Sequence, residues 1–268
     1  MNGNPSDGPK ERHDVAVGPC RRRPGITGRW RGVEDGVHSS SPPPKRRFLL
    51  VALALALIAA ESVALSQDAH PVTGRRIAPV MGHEGAAWLE RPEREAEEAP
   101  SRAIAALDLK PGDVVADVGA GSGYYTVRLA DRVGRTGKVY ATDIQPEMLS
   151  LLAERLRRAR IDNVELVRGT EDDPRLPAAA LDLVLMVDVY HELSRPQEML
   201  RKLALTLEPE GRLVLIEFRK ESRWVPIREE HKMSVAEARA ELEAEGYRFD
   251  RVIDVLPWQH ILVFKRPI

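Results

Sequence analysis

From residue 101 onward, short apolar runs alternate with amphipathic stretches. Val114–Val118, Lys138–Thr142, Val164–Arg168, Leu181–Val187 and Arg212–Phe218 read as strands. Several are apolar at nearly every position, as befits strands covered on both faces of a parallel sheet. Between and around them Arg102–Leu109, Tyr124–Val133, Pro146–Arg160 and Gln197–Leu207 carry helical periodicity. Pro111-Gly112 stops the first helix, and Pro146 suits the first turn of the third. Ser234-Val235-Ala236-Glu237 is a capping box that opens a further helix, ended by Gly246. Tyr247–Asp254 and Ile261–Lys265 read as two closing strands. Only residues 255–260 separate them, too few for a crossover helix, so this pair must be antiparallel. The pattern predicts an α/β domain at 101–268, with a doubly wound, mostly parallel sheet and a C-terminal antiparallel hairpin.

The chain before residue 101 divides into three zones. Residues 1–47 are rich in Gly, Pro, Ser and Arg, lack apolar periodicity, and read as a disordered basic tail. Phe48–Ala60 is an unbroken apolar run after Lys45-Arg46-Arg47, and small residues follow it. Residues 48–66 therefore read as a signal peptide or membrane anchor. The run falls short of the roughly 20 apolar residues of a full span. Arg46-Arg47-Phe48-Leu49-Leu50 resembles a twin-arginine export signal, with Lys45 where a polar residue is usual. The basic flank should stay cytoplasmic, which places the rest on the exported side. A start set too far upstream would instead give a cytoplasmic protein. Residues 67–100 mix charges with Trp88 and Leu89 and read as a partly helical lid or cap. Met81-Gly82-His83-Glu84-Gly85 and Trp88 would cover a binding site or simply pack on the sheet edge.

Composition narrows the function classes. The 268 residues carry 40 Lys+Arg against 41 Asp+Glu, a net charge of -1. No global field favours nucleic acid or an anionic surface. Cys20 is the one cysteine, which excludes intrachain disulfides and cysteine-based zinc sites.

The chemistry concentrates at strand ends. Ala116-Asp117-Val118-Gly119-Ala120-Gly121-Ser122-Gly123-Tyr124 joins the first strand to a helix, where open α/β sheets bind ligands. Its spacing is Gly-x-Gly-x-Gly. A dinucleotide turn would put its third glycine at position 124, which is tyrosine here. Asp117, just before the turn, suits a cationic amino group and repels a pyrophosphate. Asp143, followed by Ile144 at the end of the second strand, is placed to hold ribose hydroxyls or to cap a helix. Glu171 or Asp172, in the polar turn after the third strand, could accept from an adenine amino group or simply face solvent. Asp188-Val189-Tyr190-His191-Glu192 follows the fourth strand. His191 is a candidate general base or a helix cap, and Tyr190 a candidate wall of an acceptor pocket. His83, His191 and their acidic neighbours lack ligand-type spacing, so no metal site is expected.

These segments resemble the motifs of class I S-adenosylmethionine-dependent methyltransferases, most closely the ubiquinone/menaquinone C-methyltransferase-like group. Val115–Gly123 resembles their first motif, the strand ending in Asp143 their second, and 169–177 their adenine-side loop. Leu181–Asp188 resembles their fourth strand and Pro209–Leu215 the turn into their fifth. The resemblance covers about 101–268. It implies a Rossmann-like seven-stranded sheet and S-adenosylmethionine as cofactor. The implied contacts are Asp117, Gly119, Gly121, Gly123, Asp143 and a residue near Glu171, with Ile144, Asp172 and Asp188 in the same segments. It assigns no universal base. The expected reaction is methylation of a small molecule, with no nucleic-acid partner and membrane association only through 48–66. Two rivals remain: a non-catalytic binder of adenosyl ligands, and a nucleotide-dependent oxidoreductase, disfavoured by Tyr124 and the closing hairpin.

Overall fold

The computed structural model describes residues 69–268. The tail at 1–47 and the signal or anchor segment at 48–66 lie outside the described residues. Among those described, no helix is long and apolar enough to cross a membrane.

In chain order a 3-10 turn at His83–Gly85 leads into α1 (Ala86–Leu89), α2 (Arg94–Glu97) and α3 (Pro100–Ala106). The sheet begins with β1 (Val114–Val118), followed by α4 (Thr126–Val133), β2 (Lys138–Asp143), α5 (Pro146–Ala159), β3 (Val164–Arg168) and β4 (Leu181–Val187). A 3-10 turn at Tyr190–Glu192, α6 (Pro196–Thr206) and β5 (Leu207–Arg219) come next. A 3-10 turn at Glu229–His231, β6 (Lys232–Met233), α7 (Val235–Ala244), β7 (Arg248–Ile253) and β8 (Gln259–Lys265) complete the chain.

The strand order is β3-β2-β1-β4-β5-β8-β7, with β6 paired to β5. Pairing is parallel from β3 across to β5 and to β6, and antiparallel where β8 joins β5 and β7. The α/β fold with a closing hairpin is as the sequence predicts. The seven expected strands become eight. The extra one, β6, spans two residues, too short for any periodicity to show. β5 also starts earlier, at Leu207, and its pairing with β4 shifts register between Leu181 and Leu183.

Neighbouring residues on the central strands feed opposite faces. Val184, Met186 and Leu215 pack with Leu200 and Leu203 of α6 and Leu242 of α7. Val115, Leu183 and Leu185 pack with Ala103 of α3 and Leu129 and Val133 of α4. Both faces are thus covered, which explains the apolar runs. The chain leaves β1 outward through β2 and β3, then returns to place β4 against β1. That reversal opens a crevice at the carboxyl ends of these strands.

The segment before α1 is fastened to the same end of the sheet. Arg75 Nε pairs with the buried Glu241 of α7 at 2.9 Å, and its Nη1 donates to the carbonyl of His191 at 3.1 Å. The backbone N–H of Ala78 also donates to that carbonyl, at 3.0 Å. At the start of α7 Ser234 and Glu237 make the reciprocal capping box read from the sequence.

Candidate functional site

The crevice holds a cavity of about 760 Å3, inside the roughly 300–1,000 Å3 of small-molecule sites. One wall is the glycine turn. Gly119 has φ +73°, and a Cβ there would lie 2.5 Å from Cγ2 of Val189. Only glycine fits both the backbone and the space. The N–H groups of Gly119 and Ala120 donate to the Thr142 carbonyl at 2.8 and 3.0 Å, tying the turn to β2. Asp143 completes the tie: its Oδ2 accepts from the N–H of Gly121 at 2.9 Å and its Oδ1 from that of Gln145 at 2.8 Å. Its burial pushes the carboxyl upward, against those backbone bonds.

Gly119, Gly121, Asp143, Ile144, Glu171, Asp188 and His191 all line the cavity. Four other residues singled out from the sequence sit elsewhere. Asp117 is buried beneath the turn, where its Oδ2 accepts from the Thr126 hydroxyl at 2.6 Å. Burial pushes it up to about 6. Gly123 packs on α5, where a Cβ would meet Leu152. Asp172 accepts from the Thr170 hydroxyl at 2.8 Å on the outer side of its turn. Tyr190 is fully buried away from the cavity, with its hydroxyl 3.4 Å from Nε2 of His70.

Asp188 is the unusual carboxylate. It has φ +53°, a strained conformation for a residue with a Cβ. Its Oδ2 accepts from Gln259 Nε2 at 2.7 Å, while its buried Oδ1 has no protein partner. Burial holds its pKa well above the usual carboxylate range, and the negative charges of Glu98 and Glu217 add to this. Arg94, a residue the sequence reading missed, also lines the cavity. Its Nε pairs with buried Glu98 at 2.6 Å, Nη1 donates to the Leu89 carbonyl at 2.9 Å, and the guanidinium lies over the Tyr124 ring. In the sequence Arg94 sits among charges that look solvated, and no spacing marks it.

Past Asp188 the cavity is walled by Leu193, Met199, Phe218 and Ile227, with His191, Glu192 and His231 among them. His191 Nδ1 meets Oε2 of the fully buried Glu217 at 2.6 Å, and Oε1 of Glu217 accepts from the N–H of Tyr190 at 3.0 Å. The other ring nitrogen, Nε2, lies 3.1 Å from Nδ1 of His231. Burial pushes Glu192 up to about 7, with His191 opposing it. Burial, then His191, lowers His231. The spacing of His83, His191 and their acidic neighbours along the chain predicts no metal site, yet the fold brings one group of possible ligands together. His191, Glu192 and His231 hold ligand-type atoms within 4.8 Å of one another. The chain spacing hides this because His231 joins from beyond β5, while His83 sits half-exposed beside Glu84. Glu217 carried one sequence signal, a carboxylate inside the apolar run of β5.

The segment read as a lid contributes Pro79, Val80, Met81, Trp88 and Leu89 to the lining. Gln145 Nε2 donates to the Met81 carbonyl at 2.9 Å, and Leu89 lies over Gly121.

The family described as "Methyltransferase domain" matches residues 115–211. A curated relative, the ubiquinone/menaquinone biosynthesis C-methyltransferase UbiE of Salmonella arizonae, is 32% identical over 113 residues. That match covers 42% of this chain and 45% of the relative, so the chain spans less than half the length of the relative it matches. Among solved structures, a SAM dependent methyltransferase from Aquifex aeolicus is 31% identical with a TM-score of 0.65. That match takes in 69% of this chain and 98% of the other. The methyltransferase bound to the Trm112 activator of Haloferax volcanii is 20% identical, with a TM-score of 0.53 over 69% and 97% of the two chains, a likeness of fold alone.

Proposed function

The chain belongs to the S-adenosylmethionine-dependent methyltransferases, and from that premise we propose that it methylates a small-molecule acceptor bound in the same cavity as the cofactor. The observation that carries this reading is Asp188: a buried carboxylate oxygen without a partner, on the wall that also holds the Gly119 turn. A buried acceptor left unpaired calls for a donor from a ligand. A cationic amino group supplies one, and Arg94 across the same wall suits the matching carboxylate. Asp143 still has lone pairs for ribose hydroxyls, and Glu171 lies on the adenine side. Asp117 then acts from beneath, holding the turn through Thr126. The residues present therefore fit S-adenosylmethionine, which when bound supplies a methyl group activated by a sulfonium.

The chain's own part is positioning and water exclusion. Leu193, Met199, Phe218 and Ile227 offer an apolar bed for the acceptor. His191, its Nδ1 held by Glu217, aims Nε2 at this end of the site. Tyr124 at the third-glycine position speaks against a dinucleotide. The relative's quinone-pathway acceptor is not carried over, since the match spans under half of that protein.

Cofactor titration of the purified chain tests the reading. Binding of S-adenosylmethionine in the micromolar range, about -8 kcal/mol, is expected, with Asp143→Ala weakening it at least about tenfold, as loss of a charged hydrogen-bonding group does. Saturable NAD binding with none for S-adenosylmethionine would sink it. Methyl transfer from labelled cofactor to any compound of a metabolite mixture separates an enzyme from a non-catalytic binder.

A further inference from the structure

We propose that His191 Nε2, Glu192 Oε1 and His231 Nδ1 form a site for one divalent first-row metal ion of the zinc class, its open face turned to the cavity to take an oxygen or nitrogen of the acceptor. The role given to the bound acceptor rests on the methyltransferase reading; the metal site itself rests on geometry.

The three atoms form a near-regular triangle. The two imidazole nitrogens are 3.1 Å apart, and each is 3.8 Å from the same Glu192 oxygen. A point equidistant from atoms so spaced lies about 2.1 Å from each, within the roughly 2.0–2.2 Å of zinc–nitrogen and zinc–oxygen bonds. That point lies in the plane of the three atoms, so an ion seated above the plane in the tetrahedral manner of zinc asks only that the Glu192 oxygen close in by a fraction of an ångström.

The second shell agrees. A metal-bound imidazole usually gives its other N–H to a carboxylate, which fixes the tautomer. His191 does this with Glu217 at 2.6 Å, so its lone pair sits on Nε2, inside the triangle. Charge agrees as well. Glu217 is fully buried and Glu192 largely so, yet among the described residues neither pairs with a lysine or arginine; histidines are their only ion-pair partners. Buried carboxylates without a cation are unfavourable, and a divalent ion would offset both.

The ligand set also indicates the kind of metal. Two imidazoles, one carboxylate and no thiolate, leaving positions free, describe a catalytic zinc site or a facial triad for ferrous ion. Three protein ligands leave at least one position free, and all three residues line the cavity. The ion would also clip the Glu229–His231 turn to the turn after β4. His191 on this account is a ligand, with its lone pair committed to the metal.

The test uses the full chain, stripped with a chelator and dialysed against zinc. Wild type should bind one equivalent more than His191→Ala or His231→Ala, with affinity at least about 100-fold above theirs, since losing a ligand exceeds the 10–100-fold loss typical of an outer-shell partner. Glu217→Gln, which keeps the shape and weakens the tie to His191, should fall within that outer-shell range. Cobalt in place of zinc should give visible d–d bands that vanish in His231→Ala. His83→Ala, outside the cluster, should bind as wild type does. Should His191→Ala fail to fold, His231→Ala alone decides, because His231 is partly exposed and outside the core. Zinc uptake equal in wild type and His231→Ala, or absent from both, overturns the inference. S-adenosylmethionine titration of the same samples separates the two claims. Cofactor binding without the zinc difference sinks the metal alone, while a zinc difference without cofactor binding sinks the methyltransferase reading.

Discussion

Gly119 shows how much a single residue can announce. Its spacing from Gly121, after an apolar strand and before a helix, predicts a turn that admits a ligand to the backbone. The fold supplies two independent reasons for glycine there, φ +73° and Val189 at 2.5 Å from any Cβ. Gly119→Ala should therefore lose about 1–3 kcal/mol of stability through strain and bind S-adenosylmethionine at least about tenfold more weakly, because Val189 must move within the wall itself. A thermal melt and a cofactor titration check the two effects, and an unchanged affinity would show that the ligand does not approach this backbone. Asp143 was legible for the same reason: strand end and spacing are local. Arg94, Glu217 and His231 were not. Arg94 and His231 reach the cavity, and Glu217 reaches His191 behind it, from elements whose sequence positions say nothing of these neighbours. Asp117 was legible as important but not in direction, since spacing cannot distinguish a side chain above the turn from one below it.

At the scale of elements, the buried strands were the easiest to read, because both faces of β1 and β4 are covered and their apolar runs tolerate no alternation. The segment at 69–78 was the hardest. It owes its place to Arg75 and His70 meeting Glu241, a partner far along the chain that local pattern cannot reveal. His70 Nδ1 accepts from the N–H of Val72 at 3.2 Å, and its Nε2 lies 3.3 Å from Glu241. Burial, then the Arg75 charge, lowers His70 from 6.5 to about 4. The folded segment resists a proton that the released imidazole accepts, so docking is at full strength above pH 6.5 and weakens as pH falls toward 4. Burial displaces Glu241 upward, which pulls the opposite way, so the contribution of His70 is read by comparison with His70→Asn. Hydrogen exchange at 69–78, corrected for intrinsic rate, should show opening that increases more between pH 7 and 5 in wild type than in the variant. Identical pH dependence in both would remove His70 from the docking.

At the scale of the whole molecule, 69–268 supplies, among the described residues, a complete eight-stranded sheet and the cavity at its carboxyl edge. A chain beginning at residue 67 keeps all of these and should bind S-adenosylmethionine within about twofold of the full chain, a difference of about 0.4 kcal/mol. Were Lys45-Arg46-Arg47 and the apolar run after it an export signal, the basic flank would stay inside and the methyltransferase domain would go out. The methyl donor is made in the cytoplasm, so export would require that the domain fold and load its cofactor before it crosses, as the paired arginines would permit, whereas inverted anchoring or a start set too far upstream would keep it beside its donor. Fractionation with protease protection, run on the full chain and on the chain from residue 67, tests this. On the export reading the full chain is found outside or membrane-bound and the shorter one in the cytosol. A full chain found soluble in the cytosol would place the functional start downstream of the apolar run, and would leave the cavity and its chemistry unaltered.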